Sequence, residues 1–583
     1  MRLPFLFLWK KKRLNDQLSI DNFSVRRPSS GRARLLFSLL CFLILYGIMG
    51  ACLISYGIKG GQIEEAKGPL VFPLAARPDI VDRNGRLLAT DIKTYSLFAE
   101  PRRIIDVDET IELLSTVLPN LNWRETYKRL KRKSNFSWIQ RGLTPMQRTK
   151  IMALGIPGIG FRTEIRRFYP SGSVTSHILG MVNVDNQGIA GMEKYIDDAG
   201  LSVLRVAGLA TESSLKPVQL SIDIRVQTIV HDELMKAMKR YKAIAAGAVI
   251  LNVHTGEVLA MASIPDFNPG NPVEALKSNR LNRMTAGTFE MGSIIKSFTT
   301  AMALDSGLFH LNSIIDASRP LQASQNYFIR DFHGKNRPLT LWEVFIYSSN
   351  IGSAKEALEI GVDGHRDFLK RLGLLDRMKT ELPEVAHPVV PRHWYDIHSM
   401  TISFGHGMAT TPLQTAVGAA ALMNGGQLIP PTFLKRTKVQ ALKHAKLVLR
   451  AKKTSQDMRY LYKLNSSIGS GRNAKVEGYR IGGKTGTAEK VDNGKYSKTK
   501  NFNSFLAAFP IDDPSYVVLT IIDEPQPEDG KKSATAAMNA GPMLANIIRR
   551  SASFLGIKSD FKKEYEPILG TNSNERYGVI KKW

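Results

Sequence analysis

Only two cysteines occur in the chain, Cys41 and Cys52, and both fall inside one apolar run. Outside that run there is no thiol, so no disulfide and no Cys-ligated metal site can exist there. The redox compartment stays open, because a cysteine-free domain is at home on either side of a membrane. HExxH is also absent, and with it the zinc site built from two histidines one helical turn apart. No metal or cofactor is expected. Acidic residues are scarce: 52 Asp and Glu against 80 Lys and Arg leave a net charge of +28. Such a balance calls for an anionic neighbour, whether nucleic acid, an acidic membrane surface or a wall polymer. No zinc-finger spacing, aromatic RNA-binding motif or basic zipper accompanies the charge, so nucleic acid is not expected as a partner. Low-complexity tracts and short-period repeats are missing as well, which excludes a solenoid.

What is present is ordinary globular composition, 43% hydrophobic and 23% charged, in 583 residues. That length exceeds one hydrophobic core and predicts two or three domains with appendages. Residues 35–58 carry no charge. As a helix they would extend about 36 Å, enough to cross a bilayer core of roughly 30 Å. Ahead of them lie Arg2, Lys10, Lys11, Lys12, Arg13, Arg26, Arg27, Arg32 and Arg34 against only Asp16 and Asp21. The positive-inside rule then places residues 1–34 in the cytoplasm as a basic tail and all that follows residue 58 outside. A cleaved signal peptide fits less well, because the run exceeds an ordinary h-region and continues past Cys52. Beyond residue 58 the net charge is +21, concentrated between Arg124 and Arg167. This charge reads as a solvated face attracted to anionic lipid or wall polymer.

Residues 59–215 read as an extended mixed region rich in turns, Asp82-Arg83-Asn84-Gly85-Arg86 and Pro170-Ser171-Gly172 among them. Asp223 is placed to cap a helix from Ile224 to about Tyr241. Two β-rich runs, 248–253 and 257–262, then meet at His254-Thr255-Gly256, and two more, 503–509 and 516–522, flank Asp512-Asp513-Pro514. Strands at both ends with helical patterns between them predict an α+β domain over 216–555. Its antiparallel sheet would gather chain from both ends and carry helices on both faces. Residues 556–583 form a charged tail.

Acyl transfer through a serine needs a base within reach, and S-x-x-K on a helix puts both groups on one face. The pattern occurs four times, at Ser213/Lys216, Ser293/Lys296, Ser497/Lys500 and Ser559/Lys562. Pro217 follows the first, the third sits in what reads as a polar loop, and the fourth in the charged tail. Only Ser293 opens an apolar helical stretch, with Phe298, Ala301, Met302 and Leu304 able to bury it. Ser348-Ser349-Asn350 follows between two helical patterns, and Lys484-Thr485-Gly486-Thr487, preceded by Gly482 and Gly483, supplies the one K-T-G. Each signal is weak alone. In register, inside one expected domain, they match the S-x-x-K, S-x-N, K-T-G set.

With these motifs the chain resembles the class B penicillin-binding proteins, and among them the division-specific transpeptidases. The likeness runs from the apolar segment to about residue 550. It also rests on Arg77 to Gly85, Arg167-Phe168-Tyr169-Pro170, Gly188-Ile189-Ala190-Gly191-Met192-Glu193, Thr255 to Met261, Gly405-His406-Gly407 and Thr411-Pro412-Leu413-Gln414. Met291 stands where that family often has proline, and Ser349 fills the middle of S-x-N. The resemblance implies a single-pass protein of the bacterial inner membrane, with a non-catalytic pedestal at 59–215 and a serine β-lactamase-like transpeptidase domain at 216–555. It implies a D-Ala-D-Ala donor peptide, an acceptor amine, β-lactams as inhibitors, and a membrane glycosyltransferase and other division proteins as partners. Ser293 would be the nucleophile, Lys296 the base and Ser348 a proton relay. Asn350 would hold the peptide, Lys484, Thr485 and Thr487 its carboxylate, and backbone N–H groups of Ser293 and Thr487 the oxyanion. His406 reads as a structural loop histidine. An elongation-specific transpeptidase, a carboxypeptidase, a β-lactamase and a non-catalytic β-lactam sensor are the alternatives.

Overall fold

The computed structural model describes residues 30–60, 76–132, 134–206, 215–492, 494–530 and 533–561. The basic tail at 1–29, Ser213, and Lys562 with the rest of the C-terminal tail lie outside the described residues. Helix α1, Ser30–Gly60, encloses the uncharged run as one helix of 31 residues. Its described side chains cover residues 36–51 and are almost all exposed. Among the described residues no helix is long and apolar enough to cross a membrane.

The chain divides into two compact units, Met1–Phe72 and Pro73–Trp583. In the second, β1 (Ile80–Val81), β2 (Leu87–Ala99), β3 (Ser137–Leu143), β4 (Ile159–Phe168) and β5 (Val218–Gln219) form a five-stranded sheet in which β4 also pairs with β2. Three short helices cover it, burying Leu114, Leu130 and Ile151 against Leu97 and Leu143. The turn after β1 forms because Asp82 Oδ1 accepts the N–H groups of Asn84 and Arg86, both at 2.8 Å, while Gly85 takes a positive φ of 83°.

Three separated segments meet beside this sheet in one buried charge cluster. Arg77 donates to Glu193 and Asp197, each at 2.8 Å, and Arg167 to Glu193 at 2.7 Å and Asp91 at 3.0 Å. The side chains of Arg77, Arg167 and Glu193 are wholly buried. Carbonyls of Asn186, Glu193 and Pro78 take up remaining guanidinium protons. Every guanidinium nitrogen of both arginines thus has an acceptor, which is what makes such burial tolerable.

The rest of the unit is built on a central antiparallel sheet. Helix α2 (Ile224–Arg240) is capped by the Asp223 side chain, which accepts from Arg225 N–H. Then come β6 (Ala245–Asn252), β7 (Val258–Ile264), α3 (Lys296–Ser306), α4 (Leu341–Tyr347), α5 (Asn350–Arg371), α6 (Pro412–Met423) and α7 (Lys452–Ile468). β8 (Gly482–Asp492), β9 (Lys495–Phe509), β10 (Tyr516–Asp523) and α8 (Ala540–Ser551) close the fold. The strands lie in the order β8-β9-β10-β6-β7, so chain from both ends shares one sheet, with β8 at its edge. Both faces are covered, which is why β6 and β7 read as nearly continuous apolar runs. α2 and α8 pack on one side. α3, α6 and α7 lie on the other, where every residue of α6 is buried. Ser497 and Lys500 belong to β9 rather than to a loop, a correction that follows from the long β8–β9 hairpin.

Candidate active site

Ser293 sits in a tight turn, Gly292–Ile294, that leads directly into α3. Gly292 has φ 53°, and a Cβ there would stand 2.7 Å from the Thr487 carbonyl oxygen. Only glycine lets this turn lie against β8. A Cβ on Gly405 would likewise meet the Gly292 oxygen at 2.0 Å, so the Gly405-His406-Gly407 loop closes on the same turn. Ser293 is half-buried, and among the described residues its hydroxyl has no protein hydrogen-bond partner.

Lys296, one turn on, is 1% exposed. Its Nζ donates to the Ser348 carbonyl at 2.5 Å, Asn350 Oδ1 at 2.7 Å and Ser348 Oγ at 3.1 Å. Local backbone explains why Ser348 presents both oxygens. It ends α4 in the left-handed region, φ 57° and ψ 45°, an uncommon conformation for a non-glycine residue. Ser349 then starts α5, its hydroxyl accepting from Gly352 N–H at 3.0 Å. S-x-N is thus a hinge between two helices. Asp331 fastens it, accepting from Ser349 Oγ and from the Asn350 and Ile351 N–H groups at 2.7, 2.5 and 3.0 Å.

Lys484 reaches the same hydroxyl from β8, donating to Ser348 Oγ at 2.9 Å. It is wholly buried rather than a solvated cation. Thr485 and Thr487 share the opposite strand face; the Thr485 hydroxyl donates to Ser470 Oγ at 2.9 Å, and Thr487 Oγ1 accepts from Ala536 N–H at 3.2 Å. Gly486 admits the Met291 carbonyl, which a Cβ would meet at 2.3 Å. His406 lies against Tyr496, with ring centroids 5.2 Å apart, and 3.6 Å from Glu290.

Burial pushes Lys296 down from 10.5 to about 7, with Asp331 and Glu356 pulling it upward. Burial, and then the charge of Lys296, push Lys484 well below its ordinary value. Glu356, buried and bonded to Thr300 Oγ1 at 3.2 Å, is pushed up to about 8 by burial and held back by the charge of Lys296. A neutral Lys296 amine has a lone pair, and the Ser348 hydroxyl can donate to it while accepting from Lys484.

The structure therefore joins Lys296, Ser348, Asn350 and Lys484 directly, and sets Ser293 against Thr487 and Gly486 through Gly292 and Met291. It does not bond Ser293 to Lys296, and it ties Thr485 and Thr487 to other partners. Asp331, Glu356 and Ser470 carry no sequence motif. Nothing in their own neighbourhoods marks them, since each becomes relevant only through contacts made by the fold.

Residues 246–542 match the penicillin binding protein transpeptidase domain family, and residues 73–199 the penicillin-binding protein dimerisation domain family. The chain belongs to the penicillin-binding protein transpeptidase family. It is of the class B type. It is 36% identical, over 91% of each chain, to a probable peptidoglycan D,D-transpeptidase FtsI of Caulobacter vibrioides. It is also 30% identical to the probable peptidoglycan D,D-transpeptidase PenA of Neisseria gonorrhoeae, over 91% of this chain and 94% of that one. The peptidoglycan D,D-transpeptidase FtsI of Escherichia coli is 31% identical over 81% of this chain and 83% of its own.

Proposed function

We infer that this chain is a peptidoglycan D,D-transpeptidase of septal wall synthesis, and we propose Ser293 as its acyl-enzyme nucleophile. One observation carries the residue assignment: a buried lysine, lowered to about 7, stands one turn from a half-exposed serine and shares the Ser348 hydroxyl with a second buried lysine. Ser293 Oγ attacks the penultimate D-Ala carbonyl of the donor peptide and gives its proton to neutral Lys296. Backbone N–H groups of Ser293 and Thr487 hold the oxyanion, where losing one donor typically costs about 2.7 to 4 kcal/mol of barrier. The C–N bond then breaks, and the proton passes through Ser348 to the departing D-alanine. An acceptor amine attacks the ester, forming the cross-link and returning the proton to Ser293.

Asn350 acts first on Lys296 and so orients the base; it also faces the peptide. Lys484, Thr485 and Thr487 receive the donor carboxylate. Among the described residues the outer edge of β8 has no strand partner, and it admits the peptide in extended form. A strained β-lactam amide enters the same path and stops at the acyl-enzyme.

We also propose residues 35–58 of α1 as a single membrane span, with 1–34 cytoplasmic, 59–215 as pedestal, 216–555 as transpeptidase domain and 556–583 as tail. A membrane glycosyltransferase and other division proteins would dock on the pedestal. The test is the full chain in detergent with a D-Ala-D-Ala stem peptide and an acceptor amine. Amine-dependent cross-linked product with release of D-alanine is expected. Hydrolysis alone would overturn the transpeptidase reading in favour of a carboxypeptidase, and penicillin labelling without any turnover in favour of a sensor.

A further inference from the structure

A cavity of about 200 Å³ lies between residues 176–191, beside the five-stranded N-terminal sheet, and segments 267–286 and 384 near the central one. It shares no residue with the Ser293 site. Two opposite charges line it without pairing. Glu384 accepts from Gly191 N–H at 3.1 Å, and no cation meets its carboxylate among the described residues. Burial raises its pKa, as expected of a carboxylate lacking a counter-charge.

Arg280 has no ion pair among the described residues, and its Nε is shielded from solvent without a hydrogen-bond partner. Ser176, 1% exposed, lines the same space with an unpartnered Oγ. His177 supplies no counter-charge, since its Nε2 meets the Arg280 carbonyl at 2.8 Å and burial lowers its pKa. The remaining wall is apolar, including Phe267, Met181 and Leu281. Buried polar groups are ordinarily satisfied, and two left open, Arg280 Nε and Ser176 Oγ, across from a carboxylate held only by one backbone N–H point to a guest. Glu384 needs a donor cation, while Arg280 and Ser176 need an acceptor anion. The space holds roughly six or seven waters, or an organic molecule of about that many non-hydrogen atoms.

We propose that this cavity binds a small α-amino acid as a zwitterion, its ammonium on Glu384 and its carboxylate on Arg280 and Ser176. The proposal is independent of the reaction assigned to Ser293. D-alanine serves as the probe because that reaction would release it.

Calorimetric titration of the full chain in detergent, first acylated with penicillin to close the Ser293 site, tests this. D-alanine or glycine should bind saturably with a Kd of about 1 mM, the affinity open to so few atoms. N-acetyl-D-alanine, which lacks the ammonium, should bind at least tenfold more weakly. Glu384→Gln and Arg280→Met should each weaken D-alanine binding at least tenfold, with penicillin labelling and melting temperature as checks on folding. Ala275→Phe, which fills the space and keeps both charged side chains in the chain, should abolish binding even if those variants prove unstable. Absence of saturable binding up to about 10 mM, or binding that survives Ala275→Phe or both charge variants, would overturn the proposal.

Discussion

Replacing Lys296 with methionine is expected to slow acylation by a labelled penicillin at least about 10³-fold while making the protein more resistant to unfolding. The first effect follows if Lys296 is the base, since general bases contribute about 10² to 10⁴ and the Ser348 relay would go with it. The second follows from burial. Holding a lysine at about 7 rather than 10.5 costs folding on the order of 5 kcal/mol at or below pH 7. Methionine fills similar volume without that cost. It leaves the Ser348 carbonyl and Asn350 Oδ1 without their donor, offsetting roughly 1 to 3 kcal/mol for each buried group.

The two groups together offset roughly 2 to 6 kcal/mol, so a gain of up to about 3 kcal/mol is expected where the site relaxes around the methionine, and its sign with pH is fixed. Between about 7 and 10.5 the unfolded chain binds a proton that the folded chain does not. The native protein therefore recovers stability as pH rises, and the advantage of Lys296→Met should shrink over that window. Acylation of the native protein should in turn rise about tenfold from pH 6 to pH 8 as the amine loses its proton. Chemical unfolding and stopped-flow labelling across this range measure both. A variant that labels normally, or a flat pH profile, would remove Lys296 from the base role.

Glu193→Ala is expected to destabilise the fold by about 3 to 5 kcal/mol, the usual result of removing one partner from a buried ion pair. The loss should fall at the upper end because Glu193 serves two guanidiniums, Arg77 at 2.8 Å and Arg167 at 2.7 Å, both wholly buried. Asp197 and Asp91 retain one contact each and limit the damage. Denaturant unfolding monitored by tryptophan fluorescence should show the shift, with Glu193→Gln intermediate. A change below about 1 kcal/mol would mean that the cluster is not what joins these three segments.

Local signals in the sequence fared well where local physics decides. Asp223 and the apolar spacing after it mark α2 nearly to the residue, and the turn residues place two of the three hairpins of the central sheet, β6–β7 and β9–β10. The three motifs could be ordered along the chain, and the chain does bring Lys296, Ser348, Asn350 and Lys484 together. Long-range partners were illegible. Asp331 is 18 residues from Ser349 and reaches it only because α4 and α5 fold over it. Ser470 and the Ala536 N–H likewise occupy Thr485 and Thr487 from segments with no motif of their own. Burial of Lys484 could not be read from a glycine-flanked strand, since it depends on what covers β8. Ser497 looked like loop because its neighbours are polar, and polar residues are what an exposed hairpin tip carries.

The central claim rests on Ser293, and peptide mass spectrometry after acylation with a penicillin tests it most directly. The account predicts one covalent adduct per chain, on the peptide carrying Ser293, and none in Ser293→Ala at matched folding. An adduct on Ser348, Ser470 or any other residue, or a Ser293→Ala protein still acylated at the native rate, would contradict it.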